Sequence, residues 1–196
     1  MNNTEFEYRV IMPKNLDDRD LHQLMEVEKA AFPKNSYSIQ QMKGTVEYEG
    51  CATFVVEDGD KIIGFVIIGY DIEGQEELLF VDFAVMPEYQ SKGIGTDLLY
   101  LAFSSYAAPD NTPVVLTVKE DNIRAIKYYK NLGFENDNNF IVSEKAEDDI
   151  VMSISYKSLL TNIVGRIKYQ AFMKMLKEEL NKTNSPDTIP DTKKRK

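Results

Sequence analysis

Val85-Met86-Pro87-Glu88-Tyr89-Gln90-Ser91-Lys92-Gly93-Ile94-Gly95-Thr96 is the stretch on which the rest of the chain is read. The apolar run before it ends at Val85, Pro87 closes the strand, and helical spacing begins near Gly93. Where a strand hands over to a helix, the first helical turn offers backbone N–H groups with no intrahelical acceptor, together with the positive end of the helix dipole. The two make an anion site. Glycine at 93 and 95 lets backbone approach a phosphate with no Cβ in the way, and Ser91, Lys92 and Thr96 add donors. A Gly-x-Gly after a strand is a weak signal alone, so its surroundings carry the weight.

Upstream, residues 52–57, 61–70 and 77–86 are rich in Val, Ile and Phe and are joined through Asp58-Gly59-Asp60 and Glu73-Gly74-Gln75. They predict an antiparallel meander whose third strand, nearly all apolar, is central and covered on both faces. Further back, residues 6–12 form a strand ended by Pro13. Leu21, Leu24, Met25, Glu28 and Phe32 then recur at helical spacing, with Asp17 or Asp18 as cap. Ser38 opens a second helix over 39–48, which Gly50 closes.

Downstream come a helix over 94–107, a short buried strand over 114–118, a helix over 122–131 stopped by Gly133, and strands over 140–144 and 150–156. The order predicts an α+β fold, one mixed, mostly antiparallel sheet flanked by helices. From Ser158, Leu160, Ile163, Val164, Ile167, Ala171, Met175 and Leu176 mark an added amphipathic helix of about six turns. Residues 182–196 read as a disordered basic tail. The chain thus divides into a domain over 1–156, a helix over 157–181 and the tail.

Charge and rare residues narrow the chemistry. Of the net charge of -9, residues 157–196 carry +6 and residues 1–156 carry -15. An acidic body repels nucleic acid and attracts cations, so a cationic amine is the expected partner, set against the plain alternative of a solubilising surface. No stretch is apolar enough to span a membrane and the N-terminus lacks a signal pattern, which predicts a soluble, cytoplasmic protein. One cysteine, Cys51, and one histidine, His22, exclude an intrachain disulfide, thiolate metal clusters and most His-based triads. No metal is expected. Cys51 reads as a small buried apolar residue and His22 as a surface one.

Gln90-Ser91-Lys92-Gly93-Ile94-Gly95, with Phe83-Ala84-Val85-Met86-Pro87-Glu88-Tyr89 before it, resembles the Gln/Arg-x-x-Gly-x-Gly/Ala signature of the GNAT superfamily of acyltransferases. Asn122-Ile123-Arg124-Ala125-Ile126-Lys127-Tyr128-Tyr129-Lys130-Asn131-Leu132-Gly133-Phe134 resembles a second segment of that family, as seen in ribosomal-protein and protein N-terminal acetyltransferases. The resemblance spans roughly residues 6–156 and leaves out the C-terminal helix. It implies a sheet splayed between its fourth and fifth strands, with acetyl-CoA as co-substrate wedged in the opening. Backbone of Phe83 and Val85 would bind the pantetheine arm and polarise the thioester carbonyl, and the loop of Gln90, Ser91, Lys92, Gly93, Ile94, Gly95 and Thr96 would bind pyrophosphate. Asn122 would contact pantetheine or orient the turn after it. Tyr129 would give a proton to the departing thiolate. The alternative for Tyr128 and Tyr129 is packing of their helix on the sheet.

The usual base positions of the family hold Leu79 and Thr117, which cannot take a proton. Glu77, on the same strand face as Leu79, is the carboxylate expected to serve through a water chain. Asp82 falls on the other face unless a β-bulge re-aims it. The implied activity is acetyl transfer from acetyl-CoA to a primary amine, a protein N-terminus or lysine. The alternatives are a polyamine or other small amine as acceptor, or a catalytically weak coenzyme-binding regulatory module. The C-terminal helix either packs on the body or docks a second copy.

Overall fold

The computed structural model describes residues 6–70, 77–140 and 148–183, with side chains up to residue 177. Its elements are β1 (Glu7–Ile11), α1 (Asp18–Ala31), α2 (Ile39–Glu47), β2 (Cys51–Asp58), β3 (Lys61–Tyr70), β4 (Leu78–Val85), α3 (Ile94–Ser104), β5 (Pro113–Lys119), α4 (Ile123–Leu132), β6 (Glu135–Asn136), β7 (Asp149–Ser155) and α5 (Tyr156–Thr183). The strands form one sheet in the order β1-β2-β3-β4-β5-β7-β6. All neighbours are antiparallel except β4 and β5, so the sheet is mixed as expected.

Local signals set the ends of these elements. Asp17 accepts from the Asp20 N–H at the start of α1, and Ser38 with Gln41 closes a capping box on α2. Gly133 ends α4 in the left-handed region at φ 96°. Helix α1 packs on β3 and β4 from one side, and α3 packs on β2, β3 and β4 from the other. Ile62, Ile63, Phe65, Val66, Ile67 and Ile68 of β3 are in consequence fully buried. The expectation had put β4 in that doubly covered place. Instead Val81, Asp82 and Phe83 of β4 are half-buried, because β5 leaves β4 beside them.

Two boundaries differ from the sequence reading. The helix placed over 157–181 begins at Tyr156, directly from β7, and continues to Thr183, some 28 residues or about 42 Å. Phe103 and Tyr106 carbonyls accept from the Tyr156 hydroxyl, which fixes that start. The strand expected over 140–144 falls mostly outside the described residues. A two-residue strand at Glu135–Asn136 pairs with β7 ahead of it. The tail after residue 183 and residues 71–76 also lie outside the description, and no helix among the described residues is long and apolar enough to cross a membrane.

Candidate active site

Among the described residues β4 meets β5 at two places, Leu78 opposite Val114 and Leu79 opposite Val115. From there β5 continues with β7 as far as Lys119, and β4 continues with β3 as far as Val85. The sheet therefore opens between its fourth and fifth strands. The Met86 N–H donates to the Ile63 carbonyl at 2.9 Å, on the β3 side. Since successive residues of a strand turn their backbone groups to opposite neighbours, Ala84 also serves β3, while Phe83 and Val85 face the opening.

Below the opening lies the loop singled out in the sequence. Ser91 (φ 62°) and Gly93 (φ 91°) both adopt the left-handed region, and Gly93 caps α3 without a side-chain acceptor. Thr96 and Asp97 donate the first bonds of the helix to the Gly93 carbonyl. The amides of Ile94 and Gly95 come before them and stand ready for an anion. Gln90 anchors the turn: its Nε2 donates to the Val85 carbonyl at 2.7 Å, and its Oε1 accepts from Arg124 at the start of α4. Tyr89 donates to Asp58 at 2.7 Å, and Lys92 Nζ stands 5.0 Å from the Tyr89 ring centre. Arg124 escaped the sequence reading as a site residue; its signal was a cation two places beyond Asn122 in the second motif.

Glycine is favoured at 93 by torsion and at 95 by space. A Cβ on Gly95 would stand 2.9 Å from Phe83 Cζ. A Cβ on Gly93 would stand 3.1 Å from Gln170 Oε1 of α5. The C-terminal helix, outside the recognised motifs, thus crosses the loop at Gly93. It is fastened there by Asn162 and Arg166, which donate to the Leu132 and Asn131 carbonyls at the end of α4.

On β4, Ile67 pairs with Asp82 and Ile68 with Phe80, which leaves Val81 as the extra residue of a β-bulge. Phe80 and Phe83 in consequence share the α3 face, their rings 5.8 Å apart. Asp82 is turned to the α1 face, the one outcome that simple alternation had denied it. Its Oδ1 accepts from the Phe83 N–H at 2.7 Å, at the edge of the opening. Beside it is Glu28 of α1, 2% exposed, whose Oε1 accepts from the Tyr37 N–H. The two carboxyls are within hydrogen-bonding reach of each other, and Glu28 Oε2 and Asp82 Oδ2 are buried with no protein donor. Burial and mutual repulsion push Asp82 well above the carboxylate range, and burial raises Glu28. Glu28 had entered the sequence reading only as part of a helical stripe. Glu77 is buried one residue before β4, beyond the Leu78–Leu79 pairing, with about 16 Å of extended strand between it and Asp82.

Tyr129 of α4 packs edge-on against Phe80, at 5.6 Å, and Phe134, at 5.8 Å. Burial first, then the charge of Asp82 and the neighbouring Tyr128, raise its hydroxyl far above the usual phenol range, so it stays protonated. Tyr128 instead stacks on Phe83, the packing role foreseen for one of the two. Asn122 accepts from the Ala125 N–H and so caps α4, the orienting alternative of its two readings. Cys51 is buried and free, its thiol pushed up to about 11 by burial, and His22 is exposed. Among the described residues no group of three or more His, Cys, Asp or Glu is placed to hold a metal ion.

Residues 20–134 match the model of the acetyltransferase (GNAT) family. Over 134 residues the chain is 28% identical to an uncharacterized N-acetyltransferase of Methanocaldococcus jannaschii, covering 62% of this chain and 59% of that one. The chain therefore spans little more than half the length of this curated relative. Among solved structures, the ribosomal-protein-S18-alanine N-acetyltransferase of Escherichia coli superposes with a TM-score of 0.59 at 23% identity, over 76% of this chain and 94% of the other. A diaminobutyrate acetyltransferase of Paenibacillus lautus, solved with L-2,4-diaminobutyric acid and coenzyme A, superposes with a TM-score of 0.58 at 18% identity, over 79% and 97%. At these identities the two structures speak for the fold.

Proposed function

We propose that this chain, which belongs to the acetyltransferase (GNAT) family, transfers an acetyl group from acetyl-CoA to a primary amine at a peptide N-terminus or a lysine side chain. The observation that carries the proposal is the opening between β4 and β5 set directly above the glycine turn at 93 and 95. The residues fit the coenzyme: Gly93 and Gly95 leave the turn without a Cβ, and the amides of Ile94 and Gly95 with the side chains of Ser91, Lys92 and Thr96 supply donors for a pyrophosphate. Arg124, exposed at the rim, adds a cation.

The coenzyme supplies the acetyl group as an activated thioester. Val85 turns its amide toward it, which polarises a carbonyl without reorganisation, while the Phe83 amide on the same edge is held by Asp82 Oδ1. The Val85 carbonyl is already used by Gln90, so Val85 contributes its N–H alone. Tyr129, held protonated by its surroundings, gives a proton to the departing sulfur. The bulk of the acceleration comes from holding the amine and thioester in line within a site walled by Phe80, Phe83 and Tyr128. The acidic body of -15 favours a cationic acceptor, which also supports the second reading, a small polyamine.

The test is release of free thiol from acetyl-CoA against peptides with free N-termini, lysine peptides and spermidine, beside calorimetric titration of the coenzyme. Turnover on the peptides supports the first reading and turnover on spermidine the second. Coenzyme binding with no turnover on any acceptor would favour a coenzyme-binding regulatory module.

A further inference from the structure

Resting on the acetyl-transfer reading, we infer that Asp82 is the group that takes the proton from the attacking amine, with Glu28 as the positioning residue that holds it in a proton-sharing pair. Neither position used by most relatives offers a base, since Leu79 is aliphatic and Thr117 an alcohol. An amine acceptor begins largely protonated, with a pKa of about 8 at an N-terminus and about 10.4 on lysine, so a receiver must exist.

Three features point to Asp82. The bulge at Val81 turns its carboxyl to the α1 face, while Phe83 and Val85 keep their side chains on the α3 face, where the phosphate loop lies. The carboxyl is nevertheless at the opening, because Oδ1 accepts from the Phe83 N–H, which points there. The amine and the coenzyme are thus offered opposite faces of one strand. Finally, Glu28 and Asp82 each commit one oxygen to a backbone amide and keep the other buried with no protein donor. Two carboxylates so placed repel; one proton shared between them satisfies both oxygens.

The titratable groups facing the pair are the pair itself, from α1 and β4, and Tyr129 from α4. The backbone amides of Tyr37 and Phe83 donate to the pair, and among the described residues no cation is a cause of either carboxyl's shift. Burial first, and then the charge of Glu28 beside it, raise Asp82 to about 8. That places it near the operating pH of a general base.

The protons balance as follows. The ammonium first releases one proton to solvent and the pair starts ionised; the neutral amine nitrogen then forms its bond to the acyl carbon as the carbon–sulfur bond breaks, and the surplus N–H proton goes to Asp82, where Glu28 shares it. The departing sulfur takes a proton from the Tyr129 hydroxyl. Solvent at the opening then carries the proton on Asp82 back to Tyr129, and the enzyme is reset with no proton gained or lost.

Two measurements decide the matter. The first, independent of turnover, is carbon NMR of the full chain labelled at Asp and Glu carboxyls and titrated from pH 4 to 10. One Asp carboxyl titrating near pH 8, absent in Asp82→Asn and shifted down in Glu28→Gln, is expected. The second is the pH profile of kcat/KM. The wild type should rise through about pH 8, Asp82→Asn should lose roughly 100-fold with coenzyme binding intact, and Glu28→Gln should move the limb to lower pH. An Asp82 carboxyl titrating in the ordinary range, an unchanged kcat/KM in Asp82→Asn, or a limb that does not move in Glu28→Gln overturns the inference. Should Asp82→Asn fail to fold, Glu28→Gln alone supplies both readouts. Absence of turnover by the wild type on every acceptor, with a carboxyl still titrating near 8, sinks the acetyl-transfer reading and the catalytic role together while leaving the shared proton standing.

Discussion

The Gln90 amide donates to the Val85 carbonyl at 2.7 Å, so the last residue of β4 and the loop that leads to Gly93 are one rigid corner. Arg124 completes it from α4 by donating to the other end of the same side chain. Gln90→Ala removes both bonds at about 1 kcal/mol each. Coenzyme affinity should fall roughly 10- to 30-fold by calorimetry with little change in the far-ultraviolet circular dichroism.

Gly93→Ala meets two obstacles, a positive φ and Gln170 at 3.1 Å. The torsion costs about 1 kcal/mol wherever the side chain of Gln170 goes. A thermal melt of Gly93→Ala should therefore fall by several degrees, and adding Gln170→Ala should recover only part of the loss. Full recovery would mean that crowding by α5 alone demands the glycine.

Tyr129→Phe keeps the packing on Phe80 and Phe134 and removes the acid. Turnover should drop about 10- to 100-fold while the coenzyme binds as before. Because the hydroxyl is raised far beyond neutral pH, the wild-type profile should show no alkaline limb from it below pH 10. Equal turnover in the two proteins would remove Tyr129 from the chemistry.

Asp82 also makes stability depend on pH. Its native pKa is raised to about 8, so between about pH 4 and 8 the folded chain holds a proton that the unfolded chain has released. More protons bound in the native state means that stability declines as pH rises through that window. Urea midpoints should be lower at pH 8.5 than at pH 5.5, and Asp82→Asn should flatten the difference.

Far from the site, Arg9 donates to Asp20 and to Glu57, joining β1, α1 and β2. Asp20 is 7% exposed, so Arg9→Ala strands a carboxylate with little water to replace the guanidinium. Arg9 is itself more than a third exposed, which discounts the loss to roughly 2 kcal/mol. Denaturant unfolding measures it, and Arg9→Ala with Asp20→Asn should lose less than Arg9→Ala alone.

What the sequence disclosed was what is local. Period, turn residues and caps place β3 at Lys61–Tyr70 and stop α4 at Gly133, and the glycines at 93 and 95 announce the anion turn. The opening followed from the motifs, since no property of Leu79 or Val115 by itself says that pairing ceases there. The bulge at Val81 was illegible because Val81, Asp82 and Phe83 satisfy ordinary alternation, and the register is fixed by β3. Glu28 lies in an amphipathic helix far back in the chain, and only packing of α1 on β4 brings it to Asp82. Nor does a stripe of apolar residues in α5 say that Gln170 ends above Gly93.

Among the described residues the two pairs at Leu78 and Leu79 are the whole backbone seam between β1–β4 and β5–β7. A molecule lodged beyond that seam, bonded to strand amides on one flank and pressed by α4 on the other, takes the place of missing rungs in the ladder. On the function proposed above the coenzyme would be a structural plank, bridging two leaves whose described backbone meets along a spine two residues long.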